Sequence, residues 1–229
     1  MSSKSISVQL NPLMFIEFDE AFRQKQANLE IVLGFLCWPG SDHKVEDLKA
    51  RYDYINRISN KLKIAPVEKS LLDKVIWPLR QAKASFVLSN YISTVSTCGF
   101  IAEMIVILLF NISSINVNTN ALSLDDQKNM FGDSFENLGQ SRRINVLYAF
   151  KILDTKMRSI LLEIKNIRNR YMHFFSQDYE SLKKDAKRIY EKTEEIVTLV
   201  IGQEIKDGKF VLNANLLRYI EKCEKESDG

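Results

Sequence analysis

The stretch MRSILLEIKNIRNRYMHFF, residues 157–175, decides how this chain folds. Its apolar side chains recur at steps of three and four residues, which predicts a helix with a single buried stripe. The stripe consists of Ile160, Ile164, Ile167, Tyr171 and Phe174. Such a helix buries its stripe against other helices, so the stretch predicts one member of a helical bundle.

Three polar residues of this helix are the candidates for chemistry: Arg168, Asn169 and His173. Each residue advances roughly 100° around a helix, so Asn169 lies opposite the stripe and His173 follows one turn later, beside it. Arg168 lies on a flank, roughly 140° from His173. Either its long side chain reaches around the helix, or a second copy of the helix completes the site. The simpler alternative for His173 is a surface histidine or one that caps a helix end.

The composition favours an all-α protein. Only 4 prolines and 8 glycines interrupt 229 residues, and alternation typical of strands is scarce. The length of the chain suits one large domain or two small ones, and a hydrophobic fraction of 45% argues against a disordered chain. The net charge of +3 neither establishes nor opposes nucleic-acid binding.

The cysteines and the apolar segments indicate a cytoplasmic protein without a metal site. Cys37, Cys98 and Cys223 are far apart, with no CxxC or Cys/His cluster, which argues against zinc and favours a reducing compartment. The first residues lack the long apolar core of a signal peptide. Glu103 is the one charged residue between positions 84 and 124, and the apolar run at 100–112 is too short to span a bilayer. We therefore expect a helix buried in a bundle and no membrane contact.

Helical periodicity and helix breakers divide the first half of the chain. Helices are predicted over residues 14–37, 45–64 and 67–75, followed by a break at Trp77-Pro78. Residues 79–112 then form one long helix or two nearly collinear ones, with Gly99 as the weak point.

The second half continues the pattern after a polar loop at residues 113–123. Short elements are expected at 124–132 and 134–139, and a helix at 141–153. Asp154 or Thr155 caps the helix that carries Arg168. A final long helix opens at Asp178, and its heptad-like seam predicts antiparallel packing. The seam consists of Leu182, Ala186, Ile189, Thr193, Ile196 and Val200.

The break at Trp77-Pro78 is the predicted domain boundary. Residues 1–77 form an N-terminal accessory helical region, residues 78–207 the main antiparallel bundle, and residues 208–229 a short terminal helix and a charged tail.

Several motifs of residues 131–175 resemble the HEPN superfamily, and within it the branch of mannitol-repressor-like proteins. They are Phe131-Gly132, Ser141-Arg142-Arg143-Ile144, the helix at residues 147–153, and Ile167-Arg168-Asn169 followed by His173-Phe174. Relatives often carry a glutamate in an apolar upstream helix, a position that Glu103 fits. The resemblance spans about residues 79–202. Met172 departs from it, since these relatives usually have alanine there.

The resemblance implies an antiparallel HEPN-like bundle that dimerises, with two copies of the arginine and histidine helix lining one cleft. Many members resemble metal-independent endoribonucleases of toxin, defence or stress systems. Others are similar to non-catalytic binding or regulatory proteins, such as the mannitol repressor group. The partners implied are RNA, a second copy of the chain, and an antitoxin or regulatory protein. No cofactor is expected.

The residue types suit RNA cleavage, because RNA carries its own nucleophile in the 2′-hydroxyl group. A histidine transfers protons near neutral pH, so His173 is predicted to act as general acid or base. A guanidinium group matches phosphate oxygens, so Arg168 is predicted to stabilise the transition state. Asn169 would orient the imidazole or the phosphate, with a surface amide as the alternative.

Three further residues are predicted to support the site. Arg143 and Arg170 would add contacts to phosphate, with solvated arginines as the alternative. A carboxylate in an apolar helix is costly unless it is paired, so Glu103 would pair with Arg168 or Arg143. A structural glutamate paired elsewhere or facing solvent is the other possibility.

Overall fold

A computed structural model describes residues 24, 28–38, 41–58, 61–63, 65–66, 68–113, 116–117, 120–172, 180–202, 204–206 and 209–227. This part is all-α, with two short antiparallel hairpins. The helices are α1 Leu29–Leu36, α2 Val45–Ile58, α3 Lys69–Leu71, α4 Trp77–Val87, α5 Tyr91–Ser113, α6 Leu124–Phe131, α7 Gln140–Ala149, α8 Thr155–Met172, α9 Leu182–Ile201 and α10 Ala214–Ser227. A π-helical turn at Leu72–Ile76 joins α3 to α4, and a 3-10 turn covers Phe135–Asn137.

The two hairpins follow the C-terminal ends of α5 and α9. Strands β1 (Asn116–Val117) and β2 (Asn120–Ala121) pair within the segment predicted as a polar loop. Strands β3 (Glu204–Lys206) and β4 (Lys209–Val211) pair between α9 and α10. Both hairpins are too short to form a layer of their own, so the core is built from helices.

Helices α4 and α5 fold back on each other as a helical hairpin, so the prediction of one long or nearly collinear helix is wrong. The chain turns at Ser89, whose φ of 60° is left-handed. The amide of Asn90 donates to the Ser85 carbonyl and that of Ser89 to the Phe86 carbonyl, which is the Schellman pattern of a helix end. Asn90 then caps α5 by accepting from the Ser93 amide. Gly99, the predicted weak point, lies inside the continuous α5.

The predicted domain boundary at Trp77-Pro78 lies within a continuous helical segment. Pro78 has no N–H to donate, and the preceding π-helical turn absorbs the irregularity, with the Trp77 amide donating to the Leu72 carbonyl. Leu71 and Val75 before the proline belong to the same hydrophobic core as Leu79 after it. One hydrophobic core therefore extends across the predicted boundary.

Helix α2 also packs onto this core, although it precedes the predicted boundary. Ile55 is fully buried, and the ring of Tyr54 stacks on Phe86 of α4. The Arg51 guanidinium donates to the Val87 carbonyl at the end of α4. Beyond α2, the buried Glu194 carboxylate of α9 accepts from the Lys61 amide at 2.8 Å. At the other end of the chain, Leu216 of α10 is fully buried in the same core.

Helix α5 lies at the centre of the bundle, against α4, α8 and α9. It is the one helix in the described residues that is long and apolar enough to cross a membrane, by length and composition alone. Of its most apolar 18-residue stretch, 44% is buried within the protein. Its Val95, Cys98, Ile101 and Ile105 belong to the hydrophobic core of the bundle, as predicted for a buried helix.

The stripes of α8 and α9 are where the sequence placed them. Ile160, Ile164, Ile167 and Tyr171 are buried on α8, and all six residues of the α9 seam are buried. Asp154 caps α8 by accepting from the Met157 amide at 2.7 Å. Helix α7 ends earlier than predicted, because Lys151 takes a left-handed φ of 57° in a second Schellman turn. Phe174, Asp178 and residues 14–23 lie outside the described residues.

Candidate active site

The side chain of Arg168, on α8, crosses α5 at Gly99. A Cβ atom at position 99 would lie 2.5 Å from the Cγ of Arg168, closer than a real Cβ atom approaches a neighbour. Any side chain there would displace the arginine, so the glycine provides the space that the arginine stem occupies. Glycine at this position is explained by a close approach between two helices and not by a weak point in α5.

The Arg168 guanidinium ends at Glu103, one helical turn beyond Gly99 on α5. Its Nη1 lies 3.0 Å from Glu103 Oε1. Nη2 of Arg143 on α7 lies 3.8 Å from Oε2 of the same carboxylate. The predicted pairing of Glu103 is confirmed, with both of the partners that the sequence offered. We call Glu103, Arg143 and Arg168 the Arg168 cluster.

The two arginines of the Arg168 cluster differ in exposure. The Arg168 side chain is 30% exposed, whereas the Arg143 side chain is 9% exposed. Little of the Arg143 side chain is open to an RNA phosphate, so within the described residues it serves as an internal partner of Glu103, and its role as a substrate contact stays a prediction. One carboxylate serves two guanidinium groups, so the cluster keeps a net positive charge, and Arg168 is the group that presents it to solvent.

Two buried polar groups on α7 lack hydrogen-bond partners among the described residues. They are the Nε of Arg143 and the side-chain amide of Gln140, one turn earlier on α7. Buried donors are normally paired with protein or with water, so this corner of the cluster suits an ordered water molecule. The sequence contained no signal for Gln140, because a glutamine at the start of a helix is usually exposed.

Arg170 is held by α9. Its Nη1 lies 2.6 Å from Oδ2 of Asp185, and the Tyr171 hydroxyl donates to the same oxygen at 2.7 Å. Burial, followed by the hydrogen bond to Asp185, raises the pKa of Tyr171 to about 12. To contact a phosphate, the Arg170 guanidinium would have to bind it together with Asp185 or break its ion pair with Asp185. The substrate-binding role of Arg170 therefore stays a prediction. We call Arg170, Tyr171 and Asp185 the Asp185 cluster.

The remaining motif residues lie at the end of α8. Asn169 is partly exposed, as expected of a residue opposite the buried stripe. His173 follows the last residue of α8 and lies outside the described residues. The structure thus brings Arg168, Glu103 and Arg143 together, and the relation of His173 to them stays a prediction.

The outward face of α5 beside the Arg168 cluster is apolar. Phe100, the residue after Gly99, is 43% exposed, and Met104 and Ile107 are partly exposed. An exposed aromatic residue beside a charged cluster is typical of surfaces that bind another molecule.

The described part of the chain holds no group of three or more His, Cys, Asp or Glu side chains able to bind a metal ion. Cys98 is fully buried, and burial raises the pKa of its thiol to about 12, so little thiolate forms near neutral pH.

Comparison of the chain with protein-family models, curated proteins and solved structures finds no match. The resemblance to the HEPN superfamily therefore depends on the motif residues quoted above.

Proposed function

We propose that this protein is a metal-independent endoribonuclease of the HEPN type that acts as a cytoplasmic homodimer in a toxin, defence or stress system. The observation that carries the proposal is the Arg168 cluster. A partly exposed arginine is held at a fixed position on α8 by Gly99 and Glu103, with positive charge in excess. Arg168 precedes the histidine of the motif by five residues in the sequence.

In this proposal the RNA supplies the nucleophile. His173 accepts the proton of the 2′-hydroxyl group, and the 2′-oxygen attacks the phosphorus. The bond from phosphorus to the 5′-oxygen breaks, and the 5′-oxygen takes its proton from the imidazolium, leaving a 2′,3′-cyclic phosphate and a 5′-hydroxyl group. Arg168 stabilises the negative charge that develops on the phosphate oxygens. Glu103 and Arg143 are positioning residues that act through Arg168, and Asn169 orients the imidazole or the phosphate.

Cleavage of single-stranded RNA in the presence of EDTA tests the proposal. His173→Ala and Arg168→Ala should each lower the cleavage rate by roughly a hundredfold or more, because each removes a group that acts in the transition state. Arg80→Ala is the matched control, since Arg80 is an exposed arginine of α4 that contacts Trp77. Cleavage that EDTA abolishes, or that both active-site variants retain, would overturn the proposal.

Mixing two inactive variants tests the dimeric site. If Arg168 of one copy acts with His173 of the other, half of the dimers formed on random mixing contain one complete site. Mixed Arg168→Ala and His173→Ala chains should then recover about a quarter of the native activity. If dimers of one Arg168→Ala chain and one His173→Ala chain form and no activity is recovered, both groups of a site lie in one chain.

A second function is favoured by the exposed Phe100. Arg168 is already paired with Glu103, and the apolar face of α5 beside it suits a protein partner. This alternative is a non-catalytic binding or regulatory protein with an antitoxin or regulatory partner. It predicts that clean protein cleaves no RNA, and that Phe100→Asp weakens the complex with the partner.

A further inference from the structure

A groove of about 980 Å³ lies at the end of the bundle away from the Arg168 cluster. It is formed by the C-terminal ends of α5 and α9, the start of α10 and the turn after α7. No residue of the Arg168 cluster lines it. Along α8, the lining residue Met157 precedes Arg168 by about 16 Å at the usual helical rise. The groove is thus a separate feature from the candidate active site.

The charged side chains along the described lining of this groove are all basic. Arg218 and Lys222 project from one face of α10, and Lys151 stands in the turn after α7. No aspartate or glutamate is among the described residues that line the groove. Lys151 and Arg218 make no ion pair within the described part of the chain. Two cations from separate elements suit an anion that spans the groove, such as a chain of phosphates.

The remaining lining suits a planar, partly apolar body. Phe110, Met157 and Val200 form part of an apolar floor, and Tyr219 offers an aromatic ring. The amide side chain of Asn215 stands on α10 beside them. Aromatic rings stack on nucleobases and amides pair with base edges, so this half of the groove matches a nucleobase.

The backbone of Lys151 is an independent observation. A left-handed φ of 57° at the end of α7 is the position where glycine is the usual residue, and a Cβ atom there is strained. Strain that glycine would relieve is often kept where the side chain has a function. Ser89, with a φ of 60° at the end of α4, has the same geometry away from the groove and provides a matched reference.

We propose that the groove binds a nucleotide, with Lys151 and Arg218 on the phosphates and the base over the apolar floor beside Tyr219. The volume lies within the range of small-molecule sites, roughly 300–1,000 Å³. The proposal is independent of RNA cleavage, because none of its contacts involves the Arg168 cluster.

Titration of the full chain by calorimetry, in EDTA, with ATP, adenosine and inorganic pyrophosphate tests the inference. ATP should bind, and adenosine and pyrophosphate should each bind at least tenfold more weakly, because each lacks one half of the ligand. Lys151→Gly and Arg218→Ala should each weaken ATP binding about tenfold, since each removes a charged contact to phosphate. Lys151→Gly should raise the melting temperature at the same time, which separates lost binding from lost folding.

Two control variants define the site. Ser89→Gly should also raise the melting temperature and leave ATP affinity unchanged. Arg168→Ala should leave it unchanged as well. The proposal is overturned if ATP does not bind, if Lys151→Gly and Arg218→Ala retain full affinity, or if Arg168→Ala abolishes binding.

Discussion

Arg168 and Arg170, two residues apart on α8, belong to clusters that differ in net charge. In the Arg168 cluster one carboxylate serves two guanidinium groups, and the second, Arg143, is buried. In the Asp185 cluster one carboxylate serves a single guanidinium group and a neutral phenol. The first cluster keeps positive charge, and the second is neutral. Of the two arginines on this helix, Arg168 can thus attract an anion, whereas Arg170 is paired with Asp185 on the neighbouring helix.

Removing the carboxylate of the Arg168 cluster should lower the free energy of unfolding more than any other substitution that tests this contrast. Glu103→Gln leaves the Arg143 guanidinium buried without a counter-charge, so we expect the free energy of unfolding to fall by about 3 kcal/mol. Urea denaturation measures it, with Glu136→Gln, an exposed glutamate, as the control.

The double variant Glu103→Gln with Arg143→Met sharpens that result. It removes both buried charges, and we expect it to be more stable than Glu103→Gln alone. A Glu103→Gln variant no less stable than Asp185→Asn would contradict the contrast between the two clusters.

Filling the space between Gly99 and the Arg168 side chain should have the second-largest effect on stability. Gly99→Ala places a methyl group against the arginine stem, and we expect a net loss of about 1–2 kcal/mol together with reduced RNA cleavage. Gly34→Ala is the control, because no described atom lies within 4 Å of a Cβ at that position of α1. There the helix should gain up to about 1 kcal/mol. Equal effects of the two substitutions in thermal denaturation would argue against the close approach.

Removing the carboxylate of the Asp185 cluster should cost less. In Asp185→Asn the amide oxygen still accepts from Tyr171, and Arg170 has a side chain that is 46% exposed and can be solvated by water. We expect a loss of about 1 kcal/mol in urea denaturation. RNA cleavage should be unchanged if Arg170 does not contact substrate, and a large loss of cleavage would restore Arg170 to the site.

Near neutral pH the smallest effect is expected from Tyr171, whose contribution to stability also depends on alkaline pH. Its folded-state pKa of about 12 exceeds the usual 10.0, so between these values the folded chain holds more protons than the unfolded one, and stability falls as the pH rises. Tyr171→Phe should cost somewhat under ~1 kcal/mol near neutral pH through the lost hydrogen bond. It should also lose less stability than the native chain across that alkaline window, measured by urea denaturation. An unchanged pH slope would show that Tyr171 does not titrate there.

Local sequence was a good guide wherever a residue's role depends on its own helix. The stripe of α8, the seam of α9 and the cap at Asp154 follow from spacing, and each is found. Spacing gave no warning that α4 and α5 fold back on each other, because Ser89 is an unusual residue in a left-handed turn. Lys151 ends α7 early for the same reason.

The candidate site shows the same division. The cost of a charge in an apolar helix suggested that Glu103 has a partner, and the sequence offered Arg168 and Arg143, with pairing elsewhere or exposure to solvent left open. Which arginine would be exposed, and that Asp185 would take Arg170, depended on helices distant in sequence. The groove beside Lys151 draws its lining from α5 to α10, so no single stretch contains a signal for it.

By itself the sequence determined the all-helical class, the buried faces of α8 and α9 and the charged residues that require partners, because periodicity and burial cost act over one or two helical turns. Tertiary structure alone decided that one core crosses Trp77-Pro78, that Gly99 makes room for Arg168, and that Arg143 is buried while Arg168 is not. Those outcomes depend on how closely separate helices approach, a distance that no local pattern encodes.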